Sequence, residues 1–370
     1  MRLTRGWMEV DLDAVVRNAR AMAARVPAIL PMVKADAYGV GAIRVARALE
    51  QLAPWGYGVA TIDEGRELRF AGITRPIVLF NAVDLDELPS ARDAKLTPAL
   101  ASAQSIERWT TIAGRAWQLP IDTGMSRSGV RWTDVGALAA LLRRHPPEGA
   151  FTHFHSATLD DGTMREQEER FERALALLPE RPVVLHAENS AAIARSSQSK
   201  WSVGRPGIFL YGADVGVESV RSAPVVSVRA RIVEMRAVAA GESVSYDATF
   251  RADREMRIAT LPVGYADGYR RALGNRAHAL IAGRRAPVVG VVTMDMTMLD
   301  VTDLPASIGD VATLLGSDGD SQIELADLAG WASASPYEIL TGLHSRLPRH
   351  YSGGDAAGAA ARMVGGGQPS

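Results

Sequence analysis

The chain has 370 residues, 47% hydrophobic and 22% charged, with 41 basic and 42 acidic side chains and a net charge of −1. That balance argues against a nucleic-acid or membrane surface, and the length predicts two domains. Cysteine is absent from the sequence, which excludes disulfides, thiol nucleophiles and thiolate metal sites.

The opening residues, MRLTRGWMEVDLDAVV, place acidic side chains where a signal peptide needs an apolar segment, so a cytoplasmic protein is expected. No apolar stretch is long enough to span a bilayer. Short β-rich runs then alternate with helical patterns. The strand candidates are 28–33, 57–61, 76–80, 97–100, 116–121, 150–154, 182–185 and 201–203. An amphipathic segment starts at Gly41, with Ile43, Ala46 and Leu49 at helical spacing, and MREQEERFERALALL sets Phe171, Leu175 and Leu178 on one face. Eight strands with intervening helices predict an α/β fold, a closed TIM-type (β/α)8 barrel over residues 1–224, rather than an open sheet.

Past Pro224 the rhythm changes. VVSVRARIVEMRAV, MRIATLPVGYA, APVVGVVTMDMTMLDV and VATLLG are strand runs separated by Gly, Asp and Asn turns. They predict a mainly-β C-terminal domain over 225–352, in sandwich or barrel form, with a short helix near IELADLAGWA. The end, SGGDAAGAAARMVGGGQPS, has no core pattern, and 353–370 is expected to be disordered.

Barrel enzymes collect their chemistry at the carboxyl ends of the strands. Lys34, Arg127, His153, His155, Asn189 with Ser190, and Arg205 all follow predicted strands and could converge on one rim. In PMVKADAYGVG, Lys34 comes directly after an apolar run, where an ammonium is costly unless something uses it. After the last two predicted strands come HAENSAA and VGRPGIFLYG. Ser190 offers a hydroxyl there, and Gly207 and Ile208 offer backbone N–H groups at a predicted helix start, a combination suited to phosphate. A reactive lysine opposite a phosphate cradle suggests pyridoxal phosphate (PLP) held as a Schiff base.

Each of these residues also has a plainer reading. Lys34 alone would pass for a snorkelling strand-end residue, and Arg127 and Arg205 for members of structural ion pairs. Tyr246 and Tyr265 could be packing residues, and Met294, Met296 and Met298 alternate as one packed strand face. His153 and His155 point the same way on a strand, but no third ligand accompanies them, so no metal is expected. His153 is read as lining a pocket and His186 as structural.

VKADAYGVG, DTGMSRSG, FTHF, HAENSAA, GRPGIFLYG, VSYDATF, LPVGYADGYRR, VVTMDMTMLDV and YEILTGLHSRLPRHY follow one another in order, and together they resemble alanine racemase from about Trp7 to Tyr351. The resemblance implies a PLP-dependent isomerase that interconverts L- and D-alanine for peptidoglycan, working as a homodimer with composite active sites. By its motifs, Lys34 would bind the cofactor and act as one catalytic base, and Tyr246, lent by the partner subunit, would be the other. Tyr38, Ser190, Gly207 and Ile208 would contact the phosphate, and Arg205 the pyridine nitrogen. His153 and Asn189, at strand ends, complete the expected cofactor set. Arg127 would meet the cofactor's phenolic oxygen and the substrate carboxylate, Met294 with Asp295 would reach that carboxylate across the dimer, and Tyr265 would stand where substrate enters. Tyr351 lies in the closing motif with no role implied.

The chemistry is consistent with that set. Inverting a stereocentre through a planar carbanion needs a proton acceptor on one face and a donor on the other. A tyrosine of ordinary pKa, about 10, needs nearby positive charge to serve as a base. A guanidinium keeps its proton, so Arg205 would hydrogen-bond an unprotonated pyridine nitrogen, weakening the electron sink and limiting transamination.

Three residues depart from the family pattern: Pro120 stands where a lysine, often carbamylated, usually pins the neighbouring arginine, Ser345 where a tyrosine often crowds the substrate and braces the phosphate, and Val40 where a histidine is usual. Arg127 must therefore find another partner or move more freely, and side chains larger than alanine's are expected to be accepted. Serine or other amino acids are thus alternative substrates. A barrel-type PLP amino-acid decarboxylase is a second class, disfavoured because those enzymes depend on a cysteine and on an acidic residue at the pyridine nitrogen. A PLP carrier lacks the second domain.

Overall fold

The computed structural model describes residues 5–217 and 220–354; the predicted tail lies outside the described residues from 355 onward. The strands Tyr57–Val59, Ile77–Leu79, Thr97–Pro98, Gln118–Asp122, Gly149–Phe151 and Val184–His186 run parallel around a barrel, with Ala99 bridged to Gln118 between the third and fourth of these. Their side chains are almost entirely apolar and buried, as a sheet covered on its outer face requires.

The first and last predicted strands, 28–33 and 201–203, are not strands. The first is reduced to isolated bridges, Ile29 to Gly204 and Met32 to Gly58, and the last pairs through Gly204 and Arg205, beyond the predicted run. Proline explains the difference: Pro31 and Pro206 carry no N–H and interrupt both ladders. The barrel closes all the same. Leu30 N–H donates to Gly204 O at 2.8 Å, Met32 N–H to Pro206 O at 2.9 Å and Gly58 N–H to Pro31 O at 2.9 Å.

The helices start where the sequence supplies caps. Thr61 and Glu64 form a capping box ahead of Ile62–Phe70, and Asn189 caps Ser190–Arg195 by accepting from Ala192 N–H. Ala42–Leu49 buries Val45, Ala46 and Leu49 but turns Ile43 outward, and Thr163–Leu175 buries Phe171 and Leu175, with Leu178 just past its end.

Among the described residues the second domain holds a seven-stranded sheet. Next to its edge lies Gly6–Asp11, an element the sequence did not predict, antiparallel to Val226–Arg231 and parallel to the edge strand Arg349–Ser352. The two ends of the described chain thus share one sheet. Asp11 then caps the first barrel helix, Leu12–Ala23, accepting from Ala14 N–H at 2.9 Å. A smaller sheet, Glu234–Val238, Met256–Leu261 and Thr297–Asp300, covers a separate apolar cluster around Val244, Ile258 and Val289.

The predicted strand through 286–301 is two strands, Arg284–Pro287 and Thr297–Asp300, with a turn between them. Met294 and Met296 lie in that turn, 53% and 47% exposed, and only Met298 packs inward, so the three methionines form no packed face. The helix near IELADLAGWA spans Leu325–Ala332. A second helix, Pro336–Thr341, follows it, started by Ser335 and Glu338 in a capping box with proline in its first turn. At six residues it is too short to show a period in sequence.

Candidate active site

A cavity of about 840 Å³ opens at the carboxyl end of the barrel strands. Lys34, Arg127, His153, Asn189, Ser190, Arg205, Gly207 and Ile208, expected at or just past strand ends, all line it, as does Tyr38, expected from the family resemblance. His155 does not: it is exposed and pairs with Ser156 Oγ at 2.6 Å.

Lys34 enters the cavity from an unusual turn. Ala35, Asp36, Ala37 and Tyr38 all have positive φ, between 51° and 58°, a left-handed run that costs non-glycine residues about 1–2 kcal/mol each. The surroundings impose it. Glu64 accepts from Ala35 N–H at 2.8 Å, Asp36 Oδ1 accepts from Ala42 N–H at 2.8 Å, and Arg349 clamps the other oxygen of Asp36. Tyr351 donates to Val40 O at 2.9 Å, and its hydroxyl occupies the space a side chain on Gly41 would need. The closing motif therefore acts as a buttress for the lysine turn, and Val40 is a core residue. Burial lowers the pKa of Lys34, the positive charge of Arg127 lowers it further, and Glu64 opposes both. More of the amine is neutral than in a free lysine, the form that bonds to a carbonyl or accepts a proton.

At one end of the cavity, donors gather in a form suited to a phosphate. Ser190 Oγ accepts from Gly207 N–H at 2.8 Å, which orients the hydroxyl. A Cβ on Gly207 would lie 2.6 Å from the Tyr38 hydroxyl, so only glycine leaves this space open. Tyr38 stacks on Tyr211 with ring centroids 4.8 Å apart, and Tyr211 donates to Met32 O at 2.8 Å. The Tyr38 ring is fixed, and its hydroxyl has no protein partner among the described residues. Asn189 borders the same space, but its side chain is spent on the helix cap, Oδ1 accepting from Ala192 N–H at 3.1 Å.

Arg205 forms the floor, 4% exposed, packed against the rings of Phe80 and Phe151. It donates to His186 O, Thr152 O and Ala187 O at 2.7, 2.7 and 3.1 Å and to His186 Nδ1 at 2.8 Å. Because an arginine can only donate, His186 Nδ1 must accept, so its proton sits on Nε2 and faces Gln118 Oε1 at 3.3 Å. His186 is structural, as read from sequence, but what it structures is the orientation of Arg205. Burial pulls Arg205 down to about 9, with Glu188 opposing and Arg127 adding to the shift, which leaves the guanidinium charged at neutral pH. Burial and the cations Arg205, Arg127 and Lys34 hold His153 at about 3, a neutral ring at any ordinary pH.

Arg127 is exposed and, with proline at position 120, makes no side-chain hydrogen bond or ion pair among the described residues. Pro120 lines the cavity; Ser345 is exposed and does not. The residues sequence reasoning missed are Tyr337 and Thr341, from the short second helix of the β domain, and Asn81, Met125 and Ser128, from barrel loops. YEILTG was noted as part of a motif, but nothing in it signalled that this segment reaches the barrel.

Tyr246, Met294 and Asp295 line a different cavity, about 590 Å³, on the second domain. Tyr246 is 67% exposed and lies between Ser245 and Asp247, both at positive φ. It is therefore not a packing residue within its own chain. Thr293 braces the Met294 turn, its N–H donating to Met296 O at 2.9 Å, while Met294 N–H has no acceptor among the described residues. Asp295 pairs with Arg346 at 2.7 Å. Tyr265 is 39% exposed and tied to this turn by its N–H, which donates to Thr293 O at 3.0 Å.

A (β/α)8 barrel with a lysine and a buried arginine at its mouth, followed by a β domain, defines a class of proteins built to hold PLP. Two family descriptions match the chain: "Alanine racemase, N-terminal domain" over residues 10–215 and "Alanine racemase, C-terminal domain" over 225–351. The chain belongs to the alanine racemase family. It is 42% identical to the alanine racemase of Symbiobacterium thermophilum, over 94% of this chain and 97% of the relative. With that of Sorangium cellulosum it shares 39%, over 95% and 99%. Among solved structures, alanine racemase from E. faecalis superposes with a TM-score of 0.89 at 30% identity, covering 94% of this chain and 98% of the other. That of Bartonella henselae, with covalently bound pyridoxal phosphate, gives 0.87 at 29%, covering 94% and 100%.

Proposed function

We propose that the protein is a PLP-dependent racemase that interconverts L- and D-alanine in the cytoplasm, as a homodimer in which each barrel takes Tyr246 from the other copy. The observation that carries the reading is one cavity bordered by a lysine of lowered pKa, a buried charged arginine and a hydroxyl-rich end. The residues fit the cofactor. The partnerless Tyr38 hydroxyl and the open Cα of Gly207 suit a phosphate, and the Nε–H of Arg205, with no protein partner among the described residues, suits a ring nitrogen. When bound, PLP supplies a carbonyl for covalent attachment and a conjugated ring that accepts negative charge from an amino acid's α-carbon.

The chain's own residues supply the rest. The neutral amine of Lys34 would hold the cofactor through its carbonyl and would move a proton on one face of the α-carbon. Ser190, Tyr38 and the Ile208 N–H hold the phosphate. Arg205 keeps its proton and would meet the ring nitrogen as a donor only, so it would supply that nitrogen with a hydrogen bond and not a proton. Arg127 takes the substrate carboxylate. Tyr246 works on the opposite face. Its exposure, with that of Met294 and the free Met294 N–H, supports the dimer, since a single chain keeps these residues out of the Lys34 cavity.

We further propose that the natural role is D-alanine supply for peptidoglycan and that serine and longer amino acids are also accepted, because Arg127 is unpinned and Ser345 stays outside the cavity. Chiral chromatography of L-alanine, L-serine and a panel of longer amino acids incubated with protein and PLP tests this. D-alanine should accumulate to equality; no D-enantiomer from any of them would end the racemase reading, conversion of others without alanine would end the alanine assignment, and alanine-only conversion would end the relaxed specificity. A decarboxylase would release carbon dioxide instead. The absence of cysteine and Arg205 in place of an acidic residue speak against it.

A further inference from the structure

The second domain also reaches the barrel cavity of its own chain. The helix Pro336–Thr341 is anchored away from the barrel by the Ser335–Glu338 capping box, with Arg270 on Glu338. Its other side presses on the lysine turn so closely that a Cβ on Gly39 would lie 2.5 Å from Leu340 O. Tyr337, in its first turn, lines the same cavity as Tyr38, Ser190, Gly207 and Ile208. The Tyr337 ring lies 5.9 Å from that of Tyr38, tilted by 42°, so Tyr38 has both Tyr211 and Tyr337 as aromatic neighbours.

We infer that Tyr337 is a further phosphate-binding residue of this site, donating its hydroxyl to the cofactor phosphate beside that of Tyr38. The inference rests on the PLP reading above and extends it to a residue of the other domain. Three observations carry it. Tyr337 lines the cavity although its helix belongs to the β domain. Neither the Tyr38 nor the Tyr337 hydroxyl has a protein partner among the described residues, whereas the nearby hydroxyls of Tyr211 and Thr341 do. Finally, Tyr38 is buried and Tyr337 is 49% exposed at the cavity rim, and burial shifts both phenols upward, so both stay protonated as donors to an anion.

The test compares two probes, pyridoxal phosphate and pyridoxal, titrated into cofactor-stripped dimer and read by absorbance. Tyr337→Phe keeps the ring stack and removes only the hydroxyl. It should weaken pyridoxal phosphate binding about tenfold, as expected for a lost hydrogen bond to a charged group, and leave pyridoxal binding unchanged. Tyr38→Phe should give the same pattern. An unchanged affinity for pyridoxal phosphate, or an equal loss for both probes, overturns the inference while leaving the PLP reading intact. Wild-type protein that binds neither probe overturns both.

Discussion

The barrel mouth and the Tyr246 face differ in how far one chain completes them. At the barrel mouth the chain itself positions the buried polar groups: Arg205 is held by His186, Thr152 and Ala187, and Ser190 by Gly207, while Arg127 is left unpinned. On the second domain, Tyr246 and Met294 are exposed and the Met294 N–H is unspent. Preorganised electrostatics must be built before substrate arrives, and a single barrel can build it. On the reading proposed above, a base for the opposite face would come not from the floor of the same barrel but from a surface that a second copy brings into place.

The largest effects should come from breaking either half. Lys34→Ala should cost about 10⁴-fold in racemisation and Tyr246→Phe about 10²–10³-fold, the range for single proton-transfer groups. Only the first should lose covalent attachment of the cofactor, checked by borohydride reduction and mass spectrometry of the Lys34 peptide. Loss of attachment in Tyr246→Phe would erase the distinction between the halves. Arg127→Ala should raise KM for alanine by about tenfold or more, because it removes a charged hydrogen bond to substrate, and should weaken PLP binding less, because its contact to the phenolic oxygen is one of several that hold the cofactor.

Smaller effects should come from the buttress. Arg349→Ala releases Asp36, which is about half exposed, so the stability lost should stay below about 1 kcal/mol. The strained turn then relaxes, and kcat should fall several-fold more than KM rises. Arg349→Lys should restore part of it, and a kcat equal to wild type would refute the buttress.

The smallest is a pH slope. His153 titrates at about 3 in the folded chain and His186 well below its ordinary value, because burial disfavours the imidazolium and nearby cations add to it. Unfolded imidazoles protonate near pH 6.5, so between about 3 and 6.5 the unfolded chain binds more protons. These two residues therefore contribute stability that is complete above pH 6.5 and is lost as pH falls. His153→Gln should flatten the change in urea midpoint between pH 5 and 7; an unaltered slope would contradict the burial of that ring.

Much of this was legible in sequence because barrel chemistry follows strand ends: Lys34, Ser190 and Arg205 each announce themselves beside an apolar run. What stayed hidden depends on contacts distant in sequence. Gly6–Asp11 pairs with strands more than two hundred residues away. Pro31 and Pro206 turned two predicted strands into bridges without opening the barrel. Tyr337 lies on a helix too short to show a period, and its direction is set by Gly39 and the lysine turn. No local pattern encodes that Met294 and Met296 sit in a turn and not on a packed strand.

The central claim is that each site draws Lys34 from one chain and Tyr246 from another. Mixing inactive Lys34→Ala protein with Tyr246→Phe protein, under conditions that exchange subunits, tests it directly. In a symmetric dimer with composite sites, half the dimers become mixed and each regains one intact site, so about one quarter of wild-type activity should return. Formation of mixed dimers with no regained activity would contradict the account.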